Sequence, residues 1–236
     1  MFSNRYILIY SAVMVIIVAV ALTFVAVLLK PAQLNNIRVE KMQNILKSVH
    51  IESTPKNAEE LYKKFISESF VISTKGVLKN DIKAFDVDLY LEMKKKPEER
   101  NLPLFVCTKD DNSRYFIIPL RGKGLWGPIW GYVSLKDDLN TIEGTMFDHK
   151  GETPGLGAEI NTSVFQDQFI GKTIFDEKDD FVSVNVIKGG AKPDDKHGVD
   201  AISGGTITSK GLEDMIRECM NPYVAYFKEQ MKKKIK

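Results

Sequence analysis

Residues 203–209 read Ser-Gly-Gly-Thr-Ile-Thr-Ser: two adjacent glycines and four hydroxyl side chains directly ahead of a helical pattern. A hydroxyl in that position can cap the helix by accepting an N–H, or it can act as the acceptor of a transferred group. A helix start offers unpaired N–H groups and the positive end of the dipole, so a phosphate beside it is stabilised. Gly204 and Gly205 leave the backbone next to Thr206 bare, which lets a bulky group or a modifying enzyme reach its hydroxyl. The spacing is neither the GxxxxGK[ST] of a nucleotide-binding loop nor a GxSxG elbow with a histidine partner, so no catalytic residue is assigned. The plainer reading puts Thr206 in a loop and Thr208 or Ser209 at the cap, and both readings stand at this point.

Two more glycine-rich stretches precede it. RGKGLWGPIWG, 121–131, sets four glycines among two tryptophans. This suggests a close backbone approach beside a flat aromatic platform, or a hairpin whose tryptophans fill the core. In ETPGLG, 152–157, Pro154-Gly155 suits the centre of a type II turn with its N–H groups aimed outward. His149 and Glu152 lie near that turn without a third ligand, and the other histidines and Cys107 and Cys219 are scattered. No metal site is expected. The two cysteines read equally as buried thiols or as one disulfide.

The elements that must position these stretches begin with Ile7–Leu29, 23 residues without a charge. As a helix this run spans about 35 Å, enough for a hydrocarbon core of about 30 Å. Its length, and the absence of a small-residue cleavage site at Leu28-Leu29-Lys30-Pro31, favour an uncleaved anchor in a lipid bilayer over a signal peptide. Arg5 favours an inside N-terminus while Lys30, Arg38, Lys41 and Lys47 oppose it, so charge gives no orientation. The span holds no carboxylate, and no ion path is expected in it. The rest of the chain is near charge balance, 33 basic against 31 acidic residues, with no basic stripe, so nucleic-acid binding is not expected.

A helical period continues through 32–50, and 56–100 reads as a charge-rich, partly helical layer. From Leu104 short strands follow: 104–108, 113–120, 129–135, 144–149 and 181–187, the last by its alternation of Val182, Val184 and Val186. A helix with the stripe Leu212, Met215, Ile216 and Cys219 then runs to Asn221-Pro222, with Glu213 and Asp214 in its first turn. Pro222 opens a second helical piece, and the Lys-rich end reads as a solvated tail. The expected fold is α+β: an anchor and tail over 1–31, a membrane-proximal helical segment over 32–103, and one mixed α+β domain with a largely antiparallel sheet over 104–236.

Taken in order behind an anchor, the three stretches resemble the FMN-binding domain family over roughly 100–220. Its signature D-x-x-[ST]-G-A-T-x-[ST] is matched by Asp200-Ala201-Ile202-Ser203-Gly204-Gly205-Thr206-Ile207-Thr208, with Gly205 in place of the usual alanine. The resemblance implies FMN joined to Thr206 by a phosphodiester. It implies a flavin site completed by Ser203, Gly204, Gly205, Thr153, Gly155, Leu156, Gly157 and Trp126. It also implies attachment by a flavin transferase and a domain on the periplasmic side of a bacterial inner membrane. The expected partners are other subunits of a sodium-translocating membrane NADH:quinone reductase, or of an Rnf-type electron-transport complex, in which the chain relays electrons; the alternative is a membrane-anchored binding or assembly domain without a redox centre.

Overall fold

The computed structural model describes residues 3–79 and 81–235. It divides into two compact units, one ending at Lys41 and one beginning at Met42. The first consists of most of α1 (Asn4–Lys47), a 44-residue helix that continues through Pro31. Its most apolar window has a mean hydropathy of 3.2 and its side chains are exposed, as a span facing hydrocarbon requires.

The second unit is built on a six-stranded antiparallel sheet. Its strands are β1 (Ile66–Ile72), β2 (Leu78–Lys79), β3 (Leu102–Thr108), β4 (Arg114–Lys123), β5 (Pro128–Lys136) and β6 (Ile142–His149), in the order β2-β1-β3-β4-β5-β6. Both faces are covered. Leu102, Leu104 and Val106 of β3 and Phe116, Ile118 and Leu120 of β4 share one core with the C-terminal helices. The alternate residues Phe105, Cys107 and Ile117 share another with Ile45 of α1 and Val49 in the turn that follows it. Double burial is why these strands read as continuous apolar runs rather than alternations. Two short helices, α2 (Ala58–Phe65) and α3 (Leu89–Glu92), flank β1 and precede β3.

After β6 come a one-turn helix α4 (Ser163–Gln166) and a parallel pair, β7 (Asn185–Ile187) and β8 (Gly198–Asp200). The closing helices are α5 (Thr206–Met220) and α6 (Val224–Ile235), joined by a 3-10 turn at Asn221–Tyr223 that Pro222 helps to start. Leu212, Met215, Ile216 and Cys219 form the buried stripe of α5. Each of the larger ones contributes roughly 1.5–3 kcal/mol, so packing outweighs the ~1 kcal/mol that a missing N-cap costs.

Four expectations are corrected. Ile66–Ile72, inside the stretch expected to be partly helical, is a strand, because its backbone pairs antiparallel with β3 from Ile66↔Cys107 to Ile72↔Leu102. Within 181–187 only Asn185–Ile187 is strand: Ser183 has φ 63° and is itself buried, and the Val182 and Ser183 N–H groups both donate to the Ile174 carbonyl. Glu213 and Asp214 lie beyond the first turn of α5, since that helix begins at Thr206. The Lys-rich end is solvated as expected at Lys232, Lys233 and Lys234, but it continues α6 rather than trailing as a tail, with Lys234 Nζ 2.6 Å from Asp137 Oδ2; Lys236 lies outside the described residues.

The placement of α5 over β4 depends on Gly211. A Cβ there would run into the Lys123 carbonyl oxygen, with Gly124 Cα 3.5 Å away. Gly211→Ala is therefore expected to lower stability by about 1–3 kcal/mol through overpacking, although alanine is the better helix former. Urea unfolding followed by far-UV circular dichroism checks this; a variant as stable as the parent would mean that helix and strand separate at no cost.

Candidate functional site

The three glycine-rich stretches converge on one cavity of about 220 Å³, lined by Leu125, Trp126, Glu152, Thr153, Leu156, Gly157 and residues 204–208. Each wall has a local cause. Leu125 and Trp126 form the tip of the β4–β5 hairpin, closed by Gly124 N–H donating to Gly127 O at 2.8 Å. ETPGLG makes the turn expected of it: Leu156 N–H donates to Thr153 O at 3.1 Å, and Gly155 has φ 74°. Residues 202–205 make a second turn, with Gly205 N–H donating to Ile202 O at 3.0 Å and Gly204 at φ 73°.

Helix α5 begins upstream of the hydroxyls expected to cap it. Gly205 is the N-cap and, with no side chain, makes no capping bond. The hydroxyls of Thr208 and Ser209 are committed elsewhere. Thr208 Oγ1 donates to Glu152 Oε2 at 2.5 Å, and Ser209 Oγ accepts from Ile202 N–H at 3.1 Å. Thr206, the first helical residue, is exposed, and its hydroxyl has no hydrogen bond among the described residues. The cavity thus ends at a helix start without a side-chain acceptor, next to an uncommitted hydroxyl. An anion, and a phosphate above all, is the group such a terminus favours.

Glu152 holds the walls together. It is 5% exposed, and its carboxylate accepts from Trp126 N–H at 2.8 Å as well as from Thr208. Burial raises its pKa, but the bonds from Thr208 and from the N–H groups of Trp126, Leu125 and Gly127 outweigh that and hold it below the usual carboxylate value. Gly124 and Gly157 make room for it: a Cβ on either would sit 2.6 Å from a carboxylate oxygen. One side chain therefore ties the hairpin tip, the ETPGLG turn and the first turn of α5 to a common centre.

Around the mouth stand apolar side chains facing solvent: Trp126, 70% exposed, with Leu125, Leu156 and Ile207. A flat apolar ring attached to a phosphate matches this pairing of an apolar rim with a bare helix terminus. Of the residues expected at a flavin site, Trp126, Thr153, Leu156, Gly157, Gly204, Gly205 and Thr206 line the cavity. Ser203 and Gly155 do not; they shape the two turns. Trp130 is separated from Trp126, half-buried on β5 opposite Arg121 and Asp148. Sequence reasoning missed Leu125, Ile207 and the structural role of Glu152, for which an acidic residue opening a glycine-rich turn was the available signal. Gly205 has φ −101°, so it is not there for a left-handed backbone. A Cβ would meet Ile202 Cγ2 at 2.9 Å, and Ile202 would have to shift for an alanine.

Cys107 and Cys219 are free and buried, in separate cores. The Cys219 thiol donates to Arg121 O at 3.4 Å and is pushed up to about 11 by burial. His149 Nδ1 accepts from Glu152 N–H at 3.1 Å.

The model of the FMN-binding domain family matches residues 124–221, from the hairpin tip through α5. The C subunit of the Na(+)-translocating NADH-quinone reductase of Haemophilus ducreyi is 34% identical over 223 residues, covering 86% of both chains. Its counterpart from Vibrio alginolyticus is 30% identical, covering 84% of this chain and 83% of its own length. Among solved structures, the counterpart from Parabacteroides distasonis superposes with a TM-score of 0.77 at 40% identity, covering 84% of this chain and 96% of that one.

Proposed function

The chain belongs to the family of C subunits of Na(+)-translocating NADH-quinone reductases, and from that premise we propose that it is a membrane-anchored flavin carrier, with FMN esterified to Thr206. The observation that carries the proposal is the exposed, unbonded Thr206 hydroxyl at the uncapped start of α5, facing a cavity rimmed by Trp126, Leu125, Leu156 and Ile207. The first-turn N–H groups of α5 would hold the phosphate and the apolar rim would face the ring. Bound FMN supplies one- and two-electron transfer; the protein supplies position and surroundings.

Within that reading, each neighbour of Thr206 has a distinct task. Gly204, exposed beside it, keeps its approach clear for a flavin transferase, while Gly205 leaves room for Ile202 behind it. Glu152, through Thr208, keeps the first turn of α5 in register with the hairpin tip, so hydroxyl and rim stay on one side. A covalent link holds the carrier at high effective concentration even when rim contacts loosen, which suits a carrier that must expose its ring to partners. The other subunits of the reductase complex are those partners, and the chain passes electrons on the route from NADH to quinone. The anchor is the apolar part of α1, and the folded unit stands on the periplasmic face.

Co-expression with a flavin transferase, followed by a denaturing gel under ultraviolet light, tests the reading. A fluorescent band at the mass of the chain is expected. A dark band from a host that flavinylates a known acceptor would overturn it.

A further inference from the structure

A larger cavity, about 980 Å³, adjoins the base of the β4–β5 hairpin, bounded by Lys94, Arg100, Arg121, Lys123, Tyr90 and Glu218 among others. Four cations face one carboxylate. Elsewhere many surface cations of this chain sit against carboxylates, as Lys63 does with Glu59, Lys210 with Glu213 and Asp214, and Lys233 with Glu229. Here Lys94, Arg121 and Lys123 have no acidic partner among the described residues. Arg100 is steadied, among the described residues, by backbone carbonyls, its Nε and Nη2 donating to Lys95 O and Met93 O at 3.2 Å. Lys94 and Arg121 both pack on the Tyr90 ring, at 3.8 and 5.2 Å from its centroid. That stacking draws two cations to the mouth of the cavity without neutralising either.

Clustered, unneutralised cations around a concave surface repel one another, and an acidic partner relieves that repulsion. We infer that this cavity is a docking site for a carboxylate-rich segment of a partner protein. Its placement relative to the hairpin gives the docking a purpose. Arg121, Gly122 and Lys123 enter the hairpin and Gly127 and Pro128 leave it, all lining the basic cavity, while Leu125 and Trp126 between them line the other pocket. A partner seated here lies one turn of chain from the exposed Trp126. That consequence rests on the flavin-carrier reading; the docking itself does not.

The test uses the full-length chain in the membranes of cells that make it, with a photoreactive benzoylphenylalanine at position 97, on the cavity wall, and a control at exposed position 178. Irradiation is expected to join position 97 to a peptide of another protein rich in Asp and Glu, as read by mass spectrometry. The yield should fall about tenfold or more in 1 M salt and in the Lys94→Glu/Arg121→Glu variant, the lower range of electrostatic steering. Adducts with lipid, a peptide without acidic residues, a yield no greater than at position 178, or a yield indifferent to salt would each overturn the inference. Should the charge-reversed chain fail to fold, the salt series on the parent decides alone. Flavin content is read on the same membranes: a chain without flavin sinks the carrier reading and leaves the cross-link fully interpretable.

Discussion

Thr206→Val is expected to give a chain that folds as the parent does and carries no flavin through denaturation. Valine keeps the shape of threonine and removes only the hydroxyl. At this position the hydroxyl supports nothing in the described structure, since the side chain is exposed and makes no hydrogen bond. A β-branched residue for another at the first position of a helix changes propensity by a few tenths of a kcal/mol, within the usual ±0.5 kcal/mol of a surface substitution. The loss of the covalent flavin should therefore be complete and the shift in melting temperature small. Thr206→Ser, which keeps an oxygen, is expected to retain partial modification. The neighbouring hydroxyls are the internal controls: Thr208 and Ser209 are buried and already bonded, so Ser209→Ala should lower stability without removing the flavin. The check is peptide mass spectrometry of the segment around residue 206 beside in-gel fluorescence. A flavin still linked to the Thr206→Val chain moves the attachment site elsewhere and ends the proposal as stated.

The second large effect centres on Glu152. Glu152→Leu buries an apolar side chain against the N–H groups of Trp126, Leu125 and Gly127 and the Thr208 hydroxyl, all of which lose their acceptor. Leaving buried donors unpaired costs about 1–3 kcal/mol, and more when the lost acceptor was charged. For a unit of this size each kcal/mol lowers Tm by about 2–4 °C. Glu152→Gln keeps one acceptor oxygen and should fall between the two. Because the hairpin tip and α5 are both tied to this carboxylate, flavinylation is expected to drop in both variants, more steeply in the leucine one.

The pH dependence has a definite sign. The folded pKa of Glu152 is depressed below its ordinary value of 4.5, so its contribution is fully present at neutral pH and is lost as pH falls below 4.5 through the folded value. The parent should lose stability in acid more than Glu152→Gln does, and the two melting curves should approach one another there. Parallel curves from pH 7 to pH 3 would mean that the carboxylate is not what joins the walls.

Much of the fold could be read before any coordinates. Twenty-three uncharged residues form a helix long enough for a membrane, and β3 to β6 lie where runs of apolar residues separated by turn chemistry put them. These signals are local: they depend on hydrophobic period and on Gly and Pro punctuation. β1 escaped because Ser67, Glu68 and Ser69 follow a helical, charged stretch, and only pairing with β3, more than thirty residues away, makes them a strand. The start of α5 escaped because capping rules look for a side chain, and here the cap is Gly205.

At the site, the hydroxyl, its bare glycine neighbours and the Pro-Gly turn were legible in the chain alone, since each is a property of a few adjacent residues. It took the folded chain to leave Thr206 exposed and unbonded while Thr208 and Ser209 are not, and to bring Trp126 to the cavity while Trp130 stays on its strand. Those outcomes turn on the partners a side chain meets, and the partners here are 26 to 56 residues apart, as from Trp126 to Glu152 and from Glu152 to Thr208. A buried carboxylate must find its donors wherever the chain returns, and no local pattern records where that is.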